Sequence, residues 1–409
     1  MSNLPGSTAV HGSDRLALPG VLRDRRLFQL LTFFFWFSLY VYSPFLATYG
    51  AGMGIPDGFL GVILGSYGFT QLVLRLPIGI GSDRIRKRRP FVVAGCFLGF
   101  ASALGMGLFA TPWGYFTFRA LSGVAASCWV VYTVLYASYY ESRDAAKVMG
   151  SITLFNNSGI LAAILAGMVL AQFLSEQATF FVAAGGGLVA LLLSLRVVES
   201  RPTTVTPIRP RDILKVLRDR NLLIVSLLAA IGQIMVFGTI YGFTPAFAQE
   251  KLGAAKWQLG LLTAGSTVAM IAASYLVSRF AHKLKLRRTL VLSMVLVAIS
   301  CMLVPLCPSI AWLFVVQVFA GFGRSVTMAL CMGQSILTVP DAYRSTAMGT
   351  FQAVYAAGIV LGPTIIGFIG QAAGRERGFL VVGLIGLAGS LLGFLLPAPH
   401  MSDTQAKEA

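Results

Sequence analysis

Acidic side chains are scarce in this sequence. It holds 15 Asp and Glu among 409 residues, beside 32 Lys and Arg. Charged residues make up 11% and hydrophobic ones 56%. A soluble domain carries roughly 25% charge, so this composition does not build a water-exposed globular surface. The three His (11, 282 and 400) fall outside the apolar runs, which excludes a buried imidazole relay or a zinc site. The five Cys (96, 128, 301, 307 and 331) lie in or near apolar runs, with neither metal-ligand spacing nor the pattern of a disulfide framework. There is no Gly-x-x-x-x-Gly-Lys-Ser/Thr loop, no His-Glu-x-x-His and no Gly-x-Ser-x-Gly. Without a phosphate cradle, metal cluster or nucleophile elbow, neither an enzyme nor an ATP-driven pump is expected, and no cofactor or metal. The first 26 residues lack the apolar core of a signal peptide and end in Arg23, Asp24, Arg25 and Arg26. They are expected to form a flexible cytoplasmic tail.

What remains is hydrophobic length. Twelve apolar runs read as helices, at 27–49, 58–80, 90–110, 113–138, 147–173, 178–196, 221–248, 256–279, 288–307, 311–337, 345–371 and 377–397. Each is long enough for a hydrocarbon core of about 30 Å. The runs are continuously apolar, not alternating, which favours helices over a barrel. The predicted fold is all-α: a polytopic membrane protein of 12 transmembrane helices in two pseudo-symmetric six-helix bundles.

The net charge of +17 follows this topology. With a cytoplasmic N-terminus, 25 of the 32 Lys and Arg fall on cytoplasmic segments and four outside (Lys251, Lys256, Arg375, Arg377). That is the positive-inside pattern, and nucleic acid is not an expected partner. The long connection 197–220 contains Pro202, Pro207 and Pro210, which bar a continuous helix. Its second part, Asp212 to Arg220, has the mixed charge of a surface amphipathic helix. The expected organisation is a cytoplasmic tail 1–26, a bundle 27–196, a cytoplasmic linker 197–220, a bundle 221–397 and a cytoplasmic tail 398–409. The halves repeat at an offset near 199: Gly123 and Ser127 with Gly321 and Ser325, Met149-Gly150 with Met348-Gly349, Gly159 with Gly358, Pro44 with Pro245. Two related six-helix halves form a transporter architecture with its site near the midplane.

The connection between spans 2 and 3 reads Gly79-Ile-Gly-Ser-Asp83-Arg84-Ile-Arg86-Lys87-Arg88-Arg89-Pro90. It resembles the Gly-x-x-x-Asp-Arg-x-Gly-Arg-Lys motif of the major facilitator superfamily, and the resemblance extends over 27–397. Gly79, Asp83, Arg84, Lys87 and Arg88 fit, while Arg86 replaces the family's Gly, which leaves the turn open. The resemblance implies a conformational gate. Gly79 would let a neighbouring helix approach closely. Asp83 would face the positive N-terminal end of span 11 near Arg344 and latch the outward-facing state. The plainer alternative is a loop that only sets topology, to which Asp83 adds nothing.

Span 4 carries Arg119-Ala-Leu-Ser122-Gly123, similar to the family's Arg-x-x-x-Gly pattern associated with proton coupling. Alternatively Arg119 snorkels to the outer surface about two turns away. Gly358-Ile-Val-Leu-Gly362-Pro363 resembles an antiporter Gly-Pro motif but stands in span 11. The span 5 counterpart, Asn156-Asn157-Ser158-Gly159, has no Pro. Close packing and a kink are sufficient explanations.

Three Arg (75, 119 and 324) lie within spans, and no Asp or Glu lies deep in any. Each such Arg costs roughly 2.5–3.5 kcal/mol on insertion scales. Arg324 falls near the midplane of span 10. The resemblance places spans 1, 4, 7 and 10 around a central cavity, where Arg324 would hold an anionic group. Hydrogen bonds to backbone or water are the alternative. Tyr67, Gln71 and Arg75 share a helix face, and Arg75 either contacts substrate or snorkels inward. Further substrate-binding candidates are Trp36 and Tyr40 (span 1), Trp129 (span 4), Asn156 and Asn157 (span 5), Gln233 and Tyr241 with Phe237 (span 7), and Gln352 with Tyr355 (span 11). For the aromatics ordinary packing competes with ligand contact. Both Asn amides need partners.

The expected function is a secondary transporter of a small organic solute, anionic in charge, working by rocker-switch alternating access. The alternative is a proton-coupled drug or metabolite efflux antiporter. Arg does not titrate in the physiological range, so its proton carrier would be Asp83, Glu141, Glu250 or the substrate. The expected partners are the small-molecule substrate, protons in the alternative, and the lipid bilayer. The expected setting is a monomer in a bacterial inner membrane with both termini cytoplasmic.

Overall fold

The computed structural model describes residues 19–85, 87–140, 145–199, 219–280, 285–337 and 344–396. Among them no strand is present, and twelve helices are long and apolar enough to cross a membrane. In chain order the spans are Asp24–Gly52, Asp57–Ser82, Arg89–Leu108, Pro112–Ala137, Ser151–Phe173, Glu176–Ser194, Arg220–Leu252, Lys256–Phe280, Leu286–Leu306, Ile310–Ser335, Ala347–Ala373 and Arg375–Leu395. They are numbered 1 to 12 below. The mixed-charge stretch Asp212 to Arg220 lies, but for its last two residues, outside the described residues, as do residues 1–18 and the whole C-terminal tail. Residues 19–26, expected as part of a flexible tail, instead open the helix Pro19–Tyr40.

Spans 1 and 7 are each interrupted at matching depth. Span 1 runs as an α-helix over Pro19–Tyr40, tightens to a 3₁₀ turn at Ser43–Phe45, and resumes over Leu46–Gly52. Pro44 lacks the N–H that would continue the ladder. Span 7 widens into a π turn at Thr239–Phe243 ahead of Pro245, and Gly242 leaves helical geometry there (φ −104°, ψ −105°). These are the two prolines matched by the internal repeat.

The other repeat pairs make equivalent contacts. Gly159 of span 5 lies against the Phe33 carbonyl of span 1, and Gly358 of span 11 against the Ala230 carbonyl of span 7. Gly123 of span 4 meets the Tyr67 carbonyl of span 2, and Gly321 of span 10 the Ser266 carbonyl of span 8. At all four a Cβ would collide with backbone, so the approach requires the small residue. One turn on, Ser127 donates to Thr70 O (3.4 Å) and Ser325 to Met270 O (2.7 Å).

The first six and last six spans meet through span 2 on span 11 and span 5 on span 8. A Cβ on Gly61 would lie 2.5 Å from Pro363 O, and one on Gly65 2.9 Å from Val360 O. Pro363 sits within the unbroken helix Arg344–Ala373. At the end carrying residues 50–57 the two sets are sealed by polar contacts. Arg375 clamps Asp57 with Nε–Oδ2 at 2.6 Å and Nη2–Oδ1 at 2.7 Å, and also reaches Glu250 Oε2 (2.5 Å). Gly58 N donates to Gln371 (3.0 Å), Trp257 N donates to Gln172 (3.2 Å), and Lys256 pairs with Glu176 (3.6 Å).

Cβ atoms on Gly333 and Gly349 would meet nothing within 4 Å. The close approach expected at Gly79 is absent in this state. A Cβ there would touch only Val130 at 3.7 Å, an ordinary van der Waals distance. The side chains of Asp83 and Arg344, the two ends of the expected latch, lie outside the described residues.

Candidate functional site

Between the two sets, at mid-depth, the polar residues of the spans converge without a carboxylate. Arg75, on span 2, is buried (6% exposed). Its Nη2 donates to Gln71 Oε1 (2.6 Å), and its Nη1 donates across to span 11, to Tyr355 Oη (2.7 Å) and Gln352 Oε1 (3.2 Å). Gln71 in turn donates to Tyr67 O (3.0 Å). The helical spacing of Tyr67, Gln71 and Arg75 sets this chain of bonds. Arg75 therefore does not snorkel to the interface; it links the two sets.

Arg119 is also buried (7% exposed). Its guanidinium lies over the Tyr67 ring, 4.3 Å from the centroid, with one long contact to Ser122 Oγ (3.5 Å). Snorkelling to the outer surface is ruled out by that burial. The neighbouring Gly123 presses span 4 onto span 2 and so brings Arg119 over Tyr67. Arg119 Nε and Tyr42 Oη are both buried without a partner.

Arg324 is only partly buried. Nη1 contacts Met270 Sδ (2.9 Å) and Tyr241 Oη (3.3 Å), and the guanidinium carbon is 5.3 Å from the Tyr241 ring centroid. The π turn of span 7 presents Tyr241, and span 8 supplies Met270. No sequence signal singled out Met270, because a thioether is a weak acceptor with no charge pattern to betray it. Among the described residues, none of the three Arg is bonded to a carboxylate.

The remaining candidates divide. Trp36 packs edge-on to Trp129 (5.2 Å) and against Tyr40 (5.8 Å), and Tyr40 meets Tyr241 across the two sets (5.9 Å). Gln233 is buried on the face of span 7 that also carries Phe237 and Tyr241. Asn156 and Asn157 are half-buried on span 5. Neither amide has a recorded hydrogen bond, so the partners expected for them are not supplied within the described residues. Among those residues, no group of His, Cys, Asp or Glu has the proximity of a metal site.

The connection between spans 2 and 3 is held by a residue that sequence reasoning missed. Arg84 and Lys87 are exposed, while Arg88 is buried. The backbone N–H groups of Arg88 and Arg89 donate to the Glu199 carboxylate (2.8–3.1 Å), and Arg89 Nη2 donates to Leu195 O (2.6 Å). Glu199 thus caps the N-terminus of span 3 and complements its dipole. It stands 110 residues away in the linker, beyond any local pattern.

Twelve spanning helices, sealed together at one end around a buried polar site, define a solute transporter of the polytopic helical class. The sequence profile of the Major Facilitator Superfamily matches residues 29–255 and again 227–409. The chain belongs to that family, whose members move small molecules across membranes. It is 25% identical over 345 residues to the inner membrane transport protein YajR of Escherichia coli, covering 81% of this chain and 74% of that protein. It is 25% identical over 360 residues to the rat synaptic vesicular amine transporter, covering 84% and 67%. Its fold matches a bacterial homologue of the human lysosomal transporter Spinster, in an inward-facing, unoccupied conformation, with a TM-score of 0.77 and 16% identity, covering 92% of this chain and 97% of the other.

Proposed function

We propose that this transporter carries a small organic anion by alternating access, the halves 27–196 and 221–397 rocking about the central site. The positive-inside pattern supports cytoplasmic termini and a bacterial inner membrane. On that orientation the sealed end carrying residues 50–57 is external, and the structure corresponds to the inward-facing state. The observation that carries the anionic reading is the company kept by the three span Arg. Every recorded hydrogen-bond partner of Arg75, Arg119 and Arg324 is neutral. Guanidinium groups at this depth cost roughly 2.5–3.5 kcal/mol each. An incoming carboxylate, sulfonate or phosphate supplies the missing counter-charge.

The amine transporters among the relatives favour a second reading, an exporter of cationic compounds driven by protons. An ammonium group at neutral pH would enter a site with guanidinium groups and no recorded carboxylate. Uptake into proteoliposomes separates the two readings. Labelled organic anions and organic amines are supplied with and without an imposed pH gradient, to wild type and Arg324→Gln. Anion uptake lost in Arg324→Gln supports the first reading. Amine uptake that needs the gradient and survives the substitution refutes it.

A further inference from the structure

Six aromatic rings form a continuous chain through the site. Trp129 of span 4 meets Trp36 of span 1 at 5.2 Å, Trp36 meets Tyr40 at 5.8 Å, and Tyr40 meets Tyr241 of span 7 at 5.9 Å. Tyr241 meets Phe237 at 5.4 Å, and Phe237 stacks on Tyr67 of span 2 at 6.3 Å, inclined by 23°. The chain crosses from the first set of spans to the second and back, so its rings line the path that must open. A hydrophobic core needs no such arrangement of Trp and Tyr, whose polar atoms must be satisfied when buried. Here Trp36 Nε1 is buried without a partner.

The three Arg are not equivalent toward a ligand. Arg75 is engaged by three oxygen acceptors from two spans and is 6% exposed. It braces span 2 against span 11. Arg119 lies buried beneath the Tyr67 ring. Arg324 is partly exposed, and its recorded hydrogen bonds all come from Nη1, to a thioether and a phenol. Nε and Nη2 make no recorded hydrogen bond, which leaves them for whatever fills the site. They form one edge of the guanidinium fork, the geometry that takes a carboxylate through two parallel bonds.

We infer that the transported anion is an aromatic carboxylate, its carboxylate on the Nε–Nη2 edge of Arg324 and its ring against Tyr40 and Tyr241. This rests on the anionic reading above and names its substrate class. A saturated acid of the same size keeps the charge contact and loses the ring–ring contacts. With two such contacts, the expected preference for the aromatic acid is about tenfold. Arg75 becomes a positioning residue rather than a ligand.

The test measures thermal stabilisation of the purified full-length protein and quenching of its tryptophan fluorescence. The probes are 2-naphthoate, cyclohexanecarboxylate and 2-naphthylmethylamine. The expected result is half-maximal stabilisation by naphthoate at about one-tenth the concentration needed for cyclohexanecarboxylate, with quenching through Trp36 and Trp129. Arg324→Gln should abolish stabilisation by both acids. Tyr241→Leu should bring naphthoate down to the cyclohexanecarboxylate level, and, if Tyr241→Leu does not fold, Trp36→Leu, whose ring contacts Tyr40, should sharply reduce the quenching. Equal responses to the two acids overturn the aromatic inference and leave the anionic reading standing. A response to the amine alone, or to none of the three, overturns both.

Discussion

Replacing Asp57 with Ala should shift the transporter away from the state described here. Asp57 opens span 2 and Arg375 opens span 12, and two parallel bonds at 2.6 and 2.7 Å join them. Their side chains are only 16% and 14% exposed, so this pair is less screened than a surface ion pair, which contributes about 0–1 kcal/mol. Fully orphaning a buried charge costs about 3–5 kcal/mol, but Arg375 keeps Glu250 at 2.5 Å. The loss therefore falls between these limits, at about 2 kcal/mol. If the pair breaks when the sealed end opens, the equilibrium moves about 30-fold toward the opened form. Spin labels on Cys introduced at Ala110 and Ser309, exposed positions near that end, report the separation by pulsed electron resonance. The five native Cys are all buried, which limits background labelling. The control is Glu376→Gln, because the Lys251–Glu376 pair (3.1 Å) is exposed and lies within one set of spans. A distance distribution in Asp57→Ala that is indistinguishable from wild type refutes the latch.

Two further outcomes are expected. Glu199→Gln removes the charge that caps span 3 through the Arg88 and Arg89 N–H groups; it should cost about 1 kcal/mol, seen as a lower unfolding temperature with unchanged substrate affinity, and a loss of affinity instead would place Glu199 in the transport cycle. Asp83→Asn should slow transport and leave binding nearly intact, since Asp83 is proposed to latch the opposite state; uptake at the wild-type rate would make the motif a topology signal only.

The twelve spans were legible in the sequence because hydropathy is a local property and the hydrocarbon core sets its length scale. The three intramembrane Arg were legible as anomalies for the same reason. Their partners were not. Arg75 finds Tyr355 at a separation of 280 residues, and Arg324 finds Met270 on another helix. Neither contact leaves a trace in spacing or composition. The motif Gly79 shows the opposite failure. A pattern predicts a close helix contact there, yet the sealing contacts lie at the other end, on Gly61 and Gly65. A sequence describes both ends of an alternating-access cycle at once, whereas one structure shows a single state.

The internal repeat separates what packing requires from what the ligand requires. Gly123 and Gly321, Gly159 and Gly358, and Ser127 and Ser325 recur because each half must bring equivalent helices to the same close approach. The three Arg do not recur. In the register set by Gly123 with Gly321 and Ser127 with Ser325, Arg119 corresponds to Gln317 and Arg324 to Ala126, and at the offset of 199 Arg75 corresponds to Ser274. A purely structural role for these guanidinium groups would be under the same two-fold demand as the glycines, and would be expected twice. A single solute bound between the halves is asymmetric, and its recognition is needed only once. The absence of Arg324 from the repeat therefore agrees with the ligand-directed role proposed for it. Placing an Arg at the buried Ala126 of the wild-type protein should cost stability without adding affinity for the anion.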